Sequence, residues 1–465
     1  MALPNADSLC AVIDYEDAYV HPLILSALHS CPSLGSCKLI TSVSEAPSEN
    51  AALLQFRAYE SINFDLALSH SSTSLINSYI IRKALIRKHY LSTTISSWIT
   101  KYPGSVLKHH YKPAVEFELD YAEFLDDALT EADAYDLRIS IGANLSKDEK
   151  DREWWILKPG MSDRGQGIRL FATEDELTAI FEEWEAELPE SEDEDVEGDD
   201  DAIAPNDDHE DTKRNGIEER EADYIMTSHL RHFIAQPYIS NPLLFPPSSS
   251  SSEHFTQPPS NTKSHIRTYV LAVGALKLYI YKPMLALFAA QPYARPSSTP
   301  NPNHNLRTHL TNTCLQDSNE REGSVVAFWE LPAPLPGSRP IGKSEAKPDW
   351  REDVFQQICT VMGEVFEAAA RGMPTHFQPL PNAFEIFGVD FLVDDEGTAW
   401  LLEINAFPDF RQTGEDLKGL VGGLFEEVMR VAVQPFFGLG LEEKVKGEES
   451  QERMLKVLDI DLGRR

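Results

Sequence analysis

The sequence predicts a protein of the α+β (α/β) class, and three observations carry this prediction. Two apolar, strand-like runs, Phe384 to Val393 and Ala399 to Phe407, flank a short turn. Apolar residues at helical spacing follow Asp349 and stop at Gly372. With 465 residues, 42% of them hydrophobic, the chain is long enough for two or three domains with substantial cores.

The first 76 residues predict a small N-terminal α/β domain, because short apolar runs alternate there with serine, proline and asparagine. From Ile76 to Leu91 the apolar residues recur at helical spacing, which predicts one helix. Two basic pairs lie within it, Arg82-Lys83 and Arg87-Lys88. They are either a solvated helix face or groups that bind phosphate or an acidic substrate.

The middle of the chain combines strand and helix signals with a long acidic run. Trp154 to Lys158 is typical of a strand, and Thr173 with Glu176 forms a capping box for a following helix. The segment from Glu182 to Asp223 contains 21 acidic residues against three basic ones. It has too few apolar residues to bury a core, so we expect a disordered acidic insertion at 189–222.

Strand character resumes from Ile266 to Tyr281, and Glu415 to Phe437 predicts a further helix. Two loop insertions interrupt this part, at 246–262 and 294–306. We therefore expect an N-terminal domain, a central lobe, a C-terminal lobe and a charged tail, in that order, at 1–76, 77–240, 241–438 and 439–465.

Net charge, cysteine spacing and the length of apolar runs narrow the classes of protein to which the chain can belong. The net charge of −34 at pH 7 argues against direct binding of nucleic acid, although more than half of the excess lies between Glu182 and Asp223. The five cysteines are scattered and lack CxxC spacing, which favours reduced thiols. No Lys or Arg precedes Lys38, and no apolar run is long enough to span a bilayer. We expect a soluble, cytoplasmic protein with no membrane partner.

The two strand-like runs form a predicted hairpin that contains the most informative side chains. If residues 395–398 form a four-residue turn, Val393 pairs with Trp400 and Asp390 lies directly opposite Glu403. Two opposed carboxylates repel one another unless a cation lies between them. Hard oxygen ligands of this kind suit Mg²⁺ bound to nucleotide phosphates. An edge hairpin with solvated acids is the alternative, and the apolar flanks argue against it.

Alternation of side chains along a strand sorts this hairpin into two faces. Asp390, Glu403 and Asn405 are predicted to share one face. The other face is predicted to hold apolar side chains, namely Phe391, Trp400, Leu402 and Ile404.

Two further segments have the composition of a nucleotide site. Lys158 ends a predicted strand and precedes a glycine-rich loop that runs to Gly167, where backbone N–H groups and a lysine could bind phosphate. A surface turn would look the same, and no Walker A sequence is present. Gln236 to Ile239 could hold adenine, or be an ordinary strand end. His265 and His309 have no second ligand at metal-binding spacing, which argues against zinc.

Five segments, taken in order, resemble the successive motifs of the tubulin-tyrosine ligase family: WILKPGMSDRGQGIRLF, IAQPYISNPLLF, KSHIRTYVLAVGALKLYIYKP, HLTNTCLQ and FEIFGVDFLVDDEGTAWLLEINAFPDF. The resemblance covers roughly residues 75–435. It implies the ATP-grasp fold, in which two α+β lobes hold ATP and Mg²⁺ between them. The insertions suggest a fungal member, similar to the P-body-associated ligase-like proteins.

The resemblance also implies roles for single residues. Lys158, Arg267, Glu403 and Asn405 would act in catalysis, and Asp390, Glu403 and Asn405 would hold magnesium. The residues that contact ATP would be Lys83, Lys158, Arg164, Gly165, Gly167, Gln236, Tyr238, Ile239, Lys263, His309, Thr311, Asn312 and Asp390.

Three positions depart from the family pattern. His265 stands where an acid is usual, Pro237 where a lysine is common, and Leu287 where an arginine helps to recognise the acceptor. Nucleotide binding is therefore expected, whereas the acceptor stays open.

The activity that the resemblance implies is ligation of a carboxylate to an amine, dependent on ATP and Mg²⁺. It would add a free amino acid, such as tyrosine or glutamate, to the tail or a side-chain carboxylate of an acceptor protein, for example tubulin, through an acyl phosphate. Two alternatives stay open. One is a nucleotide-binding interaction module without turnover, associated with P-bodies, and the other is a small-molecule kinase on the same fold.

Overall fold

The structure is a computed structural model, and it describes residues 9–15, 17–34, 37–162, 165–186, 231–245, 260–298, 303, 306–311, 324–333, 349–439 and 453–462. Arg164, Asn312 and the predicted acidic insertion lie outside the described residues. Within these ranges no helix is long and apolar enough to cross a membrane. The four cysteines within them form no disulfide.

A four-stranded parallel sheet forms the N-terminal part. Its strands are β1 (Cys10–Asp14), β2 (Lys38–Leu39), β3 (Leu53–Arg57) and β4 (Ser74–Ile76), in the order β2-β1-β3-β4. Helices α1 (His21–Ser30) and α2 (Phe64–Ser69) connect them. The α/β character predicted for this part is present.

The single helix predicted from Ile76 to Leu91 is wrong. The structure has two helices instead, α3 (Lys83–Ile86) and α4 (Lys88–Lys101). Between them Arg87 is extended, with φ −95° and ψ 123°, which ends α3 and starts α4 in a new direction. The first turn of α4 meets the glycine-rich loop, because the Lys88 amide donates to the carbonyl of Gly160 at 3.2 Å.

The central part is a four-stranded antiparallel sheet covered by helices. Its strands are β5 (Val115–Glu118), β6 (Trp155–Pro159), β7 (Arg169–Phe171) and β8 (His232–Pro237), in the order β5-β8-β6-β7. The helices are α5 (Leu125–Glu131), α6 (Tyr135–Asn144) and α7 (Glu174–Ala186).

The predicted capping box of α7 is confirmed. The Glu176 amide donates to Thr173 Oγ1 at 3.3 Å, and the Thr173 amide donates to Glu176 Oε2 at 3.2 Å. This exchange satisfies amides that have no partner within the helix. The predicted apolar stripe of α7 is buried against the sheet, namely Leu177, Ile180, Phe181 and Trp184.

A seven-stranded sheet forms the C-terminal part. Its strands are β9 (Ser264–Val273), β10 (Lys277–Tyr281), β11 (Leu285–Phe288), β12 (Val325–Ala327), β13 (Phe384–Val393), β14 (Ala399–Ala406) and β15 (Met454–Asp459). Along one edge β9 pairs with β10 and β11, and along its other edge it pairs with β13. The N-terminal sheet is joined to it, because Ile76 forms a parallel bridge with Ala383.

Three helices pack on this sheet. Helix α8 (Trp350–Gly372) is capped by Asp349, whose side chain accepts from the Arg351 amide, and its apolar stripe enters the largest core, as predicted. The predicted C-terminal helix consists of α9 (Lys418–Val428), a π-helical turn (Met429–Val433) and α10 (Gln434–Phe436).

Part of the segment assigned to a charged tail is a strand. Within 439–465, β15 pairs antiparallel with β10, and Met454 is buried. The apolar residues that alternate through charged ones there pack against α8 and the core, which charge counting alone does not reveal.

The β13–β14 hairpin has a different register from the one predicted for its outer half. Asp390 pairs with Glu403, as predicted, but Val393 pairs with Ala399 and not with Trp400. A bulge after Asp390 adds one residue to β14. It compensates for a connection that is one residue shorter than expected, since residues 394–398, and not 394–399, separate Val393 from its partner.

Because of the bulge, the faces predicted for Trp400 and Leu402 on β14 are wrong. Leu401 and Ala399 enter the core, while Trp400 turns out toward Lys112, whose Nζ lies 3.6 Å from its ring centroid. Leu402 lies at the cleft described below and is not on the core face.

Candidate functional site

A cleft lies between the central sheet and the seven-stranded sheet. Strands β6 and β8 form one wall, and β9, β13 and β14 form the other. Nine residues predicted for a nucleotide or metal site line it: Lys158, Gln236, Tyr238, Ile239, Lys263, His309, Thr311, Asp390 and Glu403. Residues that are far apart in sequence are therefore brought together as one site.

Asp390 is held by an arginine on the neighbouring strand. Arg267 is its direct partner across β9 and β13, and the two side chains are buried. Arg267 Nε donates to Oδ1 at 2.5 Å and an Nη donates to Oδ2 at 3.0 Å, so the guanidinium contacts both oxygens. Burial alone would lower the pKa of Arg267, but Asp390 outweighs burial and raises it.

Glu403 is held by a lysine and an amide. Lys88 Nζ lies 3.5 Å from Oε2, and Asn405 Nδ2 donates to Oε1 at 3.0 Å. Burial would raise the pKa of Glu403, but Lys88, the hydrogen bond from Asn405 and Lys158 together lower it to about 2. Glu403 is therefore a carboxylate at any physiological pH.

Lys88 belongs to the second basic pair of the segment that begins at Ile76, and it lies beside Glu403. It reaches Glu403 and also donates to the Ser162 carbonyl at 3.1 Å. The prediction chose Lys83, from the first basic pair of the same short segment, and that choice stays a prediction. The break at Arg87, which the sequence pattern does not show, places Lys88 in the first turn of α4.

Lys158 is buried at the end of β6, beside the loop that follows it. Its Nζ donates to Gln236 Oε1 at 3.0 Å, and Gln236 Nε2 donates to the Lys112 carbonyl at 2.7 Å. Burial lowers the pKa of Lys158 to about 8, and Lys88 adds to this, while Glu403 opposes it. Lys112 lines the cleft and was not predicted; it lies in a basic run, KHHYK, that carried no other signal.

A second buried lysine donates to a tyrosine hydroxyl that also contacts a histidine. Lys263 Nζ donates to the Tyr238 hydroxyl at 3.1 Å, and that hydroxyl lies 3.1 Å from His309 Nδ1. Burial lowers the pKa of Lys263 to about 7, with a smaller effect from Lys158, and burial lowers the pKa of His309 to about 4. A bound anion would favour the charged form of Lys263.

His265 occupies the position where the family pattern has an acid. Its Nε2 lies 3.5 Å from Asp390 Oδ1, and its Nδ1 is hydrogen-bonded to the Thr311 hydroxyl. Burial lowers the pKa of His265, with Asp390 opposing this. Leu287 lies directly across the strands from His265 and is fully buried, so it supplies no charge there.

The glycine-rich loop is held in place where it leaves β6. Gly165 and Gly167 have φ of 80° and 70°, the left-handed region that favours glycine. Gly160 donates to the His232 carbonyl at 2.7 Å, and a Cβ added there would lie 2.5 Å from His89 Nδ1. The loop therefore requires glycine where it leaves β6.

The donor groups of the cleft fit a magnesium–nucleotide complex. Asp390, Glu403 and Asn405 offer oxygens from adjacent strands. Within the described ranges, no three or more His, Cys, Asp or Glu side chains are arranged to hold a metal. An ion here would complete its coordination with phosphate oxygens and water, as Mg²⁺ prefers. The two carboxylates lie among four cationic side chains, Lys88, Lys158, Lys263 and Arg267, so the site favours a polyphosphate.

Comparison with known proteins gives a consistent result. The model of the tubulin-tyrosine ligase family matches residues 68–438. A probable tubulin–tyrosine ligase of Schizosaccharomyces pombe is 40% identical over 445 residues, or 96% of each chain. The probable tubulin–tyrosine ligase PBY1 of Saccharomyces cerevisiae is 40% identical over 86% of this chain, and the match spans 48% of the yeast protein.

One solved structure is similar over almost the whole chain. It is the C-terminal domain of K. lactis Pby1, an ATP-grasp enzyme that interacts with the mRNA decapping enzyme Dcp2. The TM-score is 0.64 at 30% sequence identity, and the match covers 97% of this chain and 99% of that one. The chain therefore has the ATP-grasp fold and belongs to the tubulin-tyrosine ligase family.

Proposed function

We propose that this chain is a ligase that joins a carboxylate to an amine at the expense of ATP, with Mg²⁺ as cofactor. The observation that carries the proposal is the pair Asp390 and Glu403, set opposite one another in a cleft that several cations surround. This arrangement suits Mg²⁺ with a triphosphate. Membership of the tubulin-tyrosine ligase family supports the reaction class.

The chemistry follows from the poor reactivity of a carboxylate. Its charge repels an amine, so it must first be activated. An oxygen of the acceptor carboxylate attacks the γ-phosphorus of ATP, ADP leaves, and an acyl phosphate forms. The amine then attacks the acyl carbon, the bond from carbon to the phosphate oxygen breaks, and inorganic phosphate and a proton are released. Bound Mg²⁺ would offset negative charge on the phosphates.

The residues of the cleft have distinct parts in this proposal. Lys158 and Lys88 stabilise negative charge on the transferring phosphoryl group. Arg267, whose position is set by Asp390, orients the acceptor carboxylate. Lys88 also contacts the loop at Ser162, so the loop closes over the same charges and excludes water from the acyl phosphate.

The test is an isotope transfer. Synthetic peptides that end in an ¹⁸O-labelled carboxylate are incubated with MgATP and either tyrosine or glutamate. The ligase reaction moves one ¹⁸O atom from the carboxylate to inorganic phosphate and releases ADP. Glu403→Gln is expected to abolish both. Glu396→Gln, on the exposed turn of the same hairpin, is the matched control and should retain both.

Each rival gives a different result in this experiment. A small-molecule kinase would leave phosphate on its product and would release no labelled phosphate. An interaction module would bind MgATP in calorimetry without releasing ADP. Labelled phosphate from Glu403→Gln at the wild-type rate would contradict the assigned site.

The acceptor and location are proposed by similarity alone. We propose a protein tail, such as that of tubulin, as acceptor and a tyrosine- or glutamate-like amino acid as donor. Because K. lactis Pby1 interacts with Dcp2, we also propose a decapping enzyme as partner and cytoplasmic P-bodies as location. Co-purification with the tagged decapping enzyme of the same organism tests the partner, and its absence under conditions that retain other decapping factors would contradict it.

A further inference from the structure

The outer face of the central part exposes an unusual group of apolar side chains. Helices α5 and α6 bury Leu125, Leu129, Leu137 and Ile141 against the sheet. On the opposite, solvent side, four large apolar residues are exposed: Tyr121 at 56%, Phe124 at 48%, Tyr135 at 68% and Ile139 at 51%.

These four residues lie close together in the chain, as two neighbouring pairs. Nine large apolar residues are exposed in the described parts of the chain, and these four fall within 19 consecutive positions. Tyr121 and Phe124 touch edge to face, with ring centroids 6.3 Å apart. Tyr135 and Ile139 lie one turn apart on α6. Single exposed apolar residues need no explanation, but a group of this kind marks a contact surface.

One ion pair joins the two halves of the surface. Arg138, next to Ile139, donates to Asp126 Oδ1 and to the Asp126 carbonyl, each at 2.7 Å. It also donates to Thr130 Oγ1 at 3.1 Å. The outer sides of α5 and α6 are therefore held together as one face.

The rim of this surface is strongly acidic. Residues 120–136 contain seven Asp or Glu and no Lys or Arg, and all seven acids are exposed. Asp120 pairs with Arg231 and Asp126 pairs with Arg138. The remaining five add negative charge around the aromatic rings: Glu123, Asp127, Glu131, Asp133 and Asp136.

We infer that this aromatic–acidic face, defined by Tyr121, Phe124, Tyr135 and Ile139 with the acids of 120–136, docks a basic segment of another protein. The segment would carry Lys or Arg around apolar anchors. Apolar anchors would bury against the four exposed side chains, and basic residues would pair with the rim or stack on the tyrosine rings.

Charge argues against the other occupants. The chain's own segment from Glu182 to Asp223 is itself strongly acidic and would be repelled. A second copy, docked through the same face, would bring two acidic rims together. Nucleic acid would meet the same repulsion through its phosphates.

The experiment measures binding of a defined probe to the full chain. The probe is a fluorescent 16-residue helical peptide with leucine and tryptophan on one face and arginine on the other, and its partner peptide has glutamate in place of each arginine. We expect the arginine peptide to bind, with affinity that falls as salt is raised, and the glutamate peptide not to bind. The variant Phe124→Ser/Ile139→Ser should lower affinity at least tenfold.

Two further variants isolate the face. Leu68→Ser removes an exposed leucine from the N-terminal part and should leave affinity unchanged. Glu123→Gln/Asp127→Asn should weaken binding and reduce its salt dependence. Thermal unfolding and MgATP binding should be the same in all variants, since these side chains are exposed and outside the cleft.

Three results would overturn the inference. The first is equal binding of the arginine peptide to wild type and Phe124→Ser/Ile139→Ser, because the acidic segment alone would then explain it. The second is equal binding of both peptides. The third is a dimer in sedimentation that Phe124→Ser/Ile139→Ser abolishes, since the face would then be a contact between copies.

Discussion

Strand β13 carries two buried carboxylates, five residues apart, and each pairs with an arginine from another part of the chain. The surroundings of the two pairs give them different roles. Glu385 pairs with Arg82, with Nε and Oε1 3.0 Å apart, and Asp390 pairs with Arg267. All four side chains are buried. Because side chains alternate along a strand, the two carboxylates point to opposite faces of the sheet. Only Asp390 lines the cleft.

The neighbours of each pair explain the difference. Around Glu385 the Tyr79 amide donates to Oε2 at 3.1 Å, and the Arg82 guanidinium lies 4.0 Å from the Tyr59 ring and 5.1 Å from the Phe407 ring. Burial raises the pKa of Glu385 to about 7, although Arg82 opposes this. Aromatic rings and backbone thus surround this pair, and neither Arg82 nor Glu385 lines the cleft.

Asp390, by contrast, has neighbours of both signs beside an open space. His265 and Arg267 contact its oxygens, and Glu403 is its partner across the hairpin. A phosphate or metal that enters the cleft can exchange with these partners. A buried ion pair can therefore take part in a site when its neighbours can be exchanged, and has a structural role when they cannot.

The largest expected effect separates the two carboxylates by activity. Asp390→Asn should lower kcat for ADP release about 10³-fold, because it removes a negative ligand from the site of phosphoryl transfer. Glu385→Gln should lower kcat less than about threefold, since Glu385 is outside the cleft. Steady-state kinetics on folded protein, checked by circular dichroism, measures both. Equal losses would mean that the two pairs are not functionally distinct.

The next effect tests the structural role of the Arg82–Glu385 pair through stability. Arg82→Met leaves Glu385 buried without its partner and should lower the free energy of unfolding by about 3 kcal/mol at pH 8. The loss should be smaller at pH 6, where Glu385 can remain protonated. Urea denaturation measures it, with Arg371→Met as control, whose exposed pair with Glu367 should matter by less than about 1 kcal/mol. Equal losses in both variants would contradict the structural role of Arg82.

The pH dependence of stability sharpens the same contrast. The pKa of Glu385 is raised from 4.5 to about 7, so the folded state holds a proton that the unfolded state has lost between these pH values. Stability from this group is present below pH 4.5 and is lost as pH rises through 7, by roughly 3 kcal/mol in all. Urea midpoints from pH 4.5 to 8 should therefore fall more steeply in wild type than in Glu385→Gln. Parallel profiles would contradict the raised pKa.

The smallest expected effect compares the two lysines of the basic pairs, Lys83 and Lys88. Lys88→Met should weaken MgATP binding about tenfold, because one charge-assisted contact contributes of the order of 1.4 kcal/mol. Lys83→Met should weaken it less than about twofold, since Lys88 makes the contact with Glu403. Calorimetry decides between them. The reverse order would restore the assignment that the sequence alone suggested.

Local chemistry explains what could be predicted from the sequence. The capping box of Thr173 and Glu176, the strand that ends with Lys158 and the helix after Asp349 depend on neighbours within a few residues. The opposition of Asp390 and Glu403 was predicted correctly, although a connection one residue shorter than expected and a one-residue bulge cancel one another to produce it.

Contacts between distant segments explain what could not be predicted. The bulge turns Trp400 away from the core. The break at Arg87 makes Lys88 the first residue of α4. Strand β15 pairs with β10, which is more than 170 residues earlier in the chain. None of these has a signature within its own segment, because each depends on packing against residues far away in sequence.

The family, the fold class and the types of side chain in the cleft follow from the sequence, because alternation, capping and ordered motifs are local properties of the chain. The tertiary structure alone decided which cation meets which carboxylate. Arg267 and Asp390 belong to strands more than 100 residues apart in sequence, and only the register of β9 against β13 makes them neighbours. That register is set by the burial of whole strand faces, which no single segment encodes.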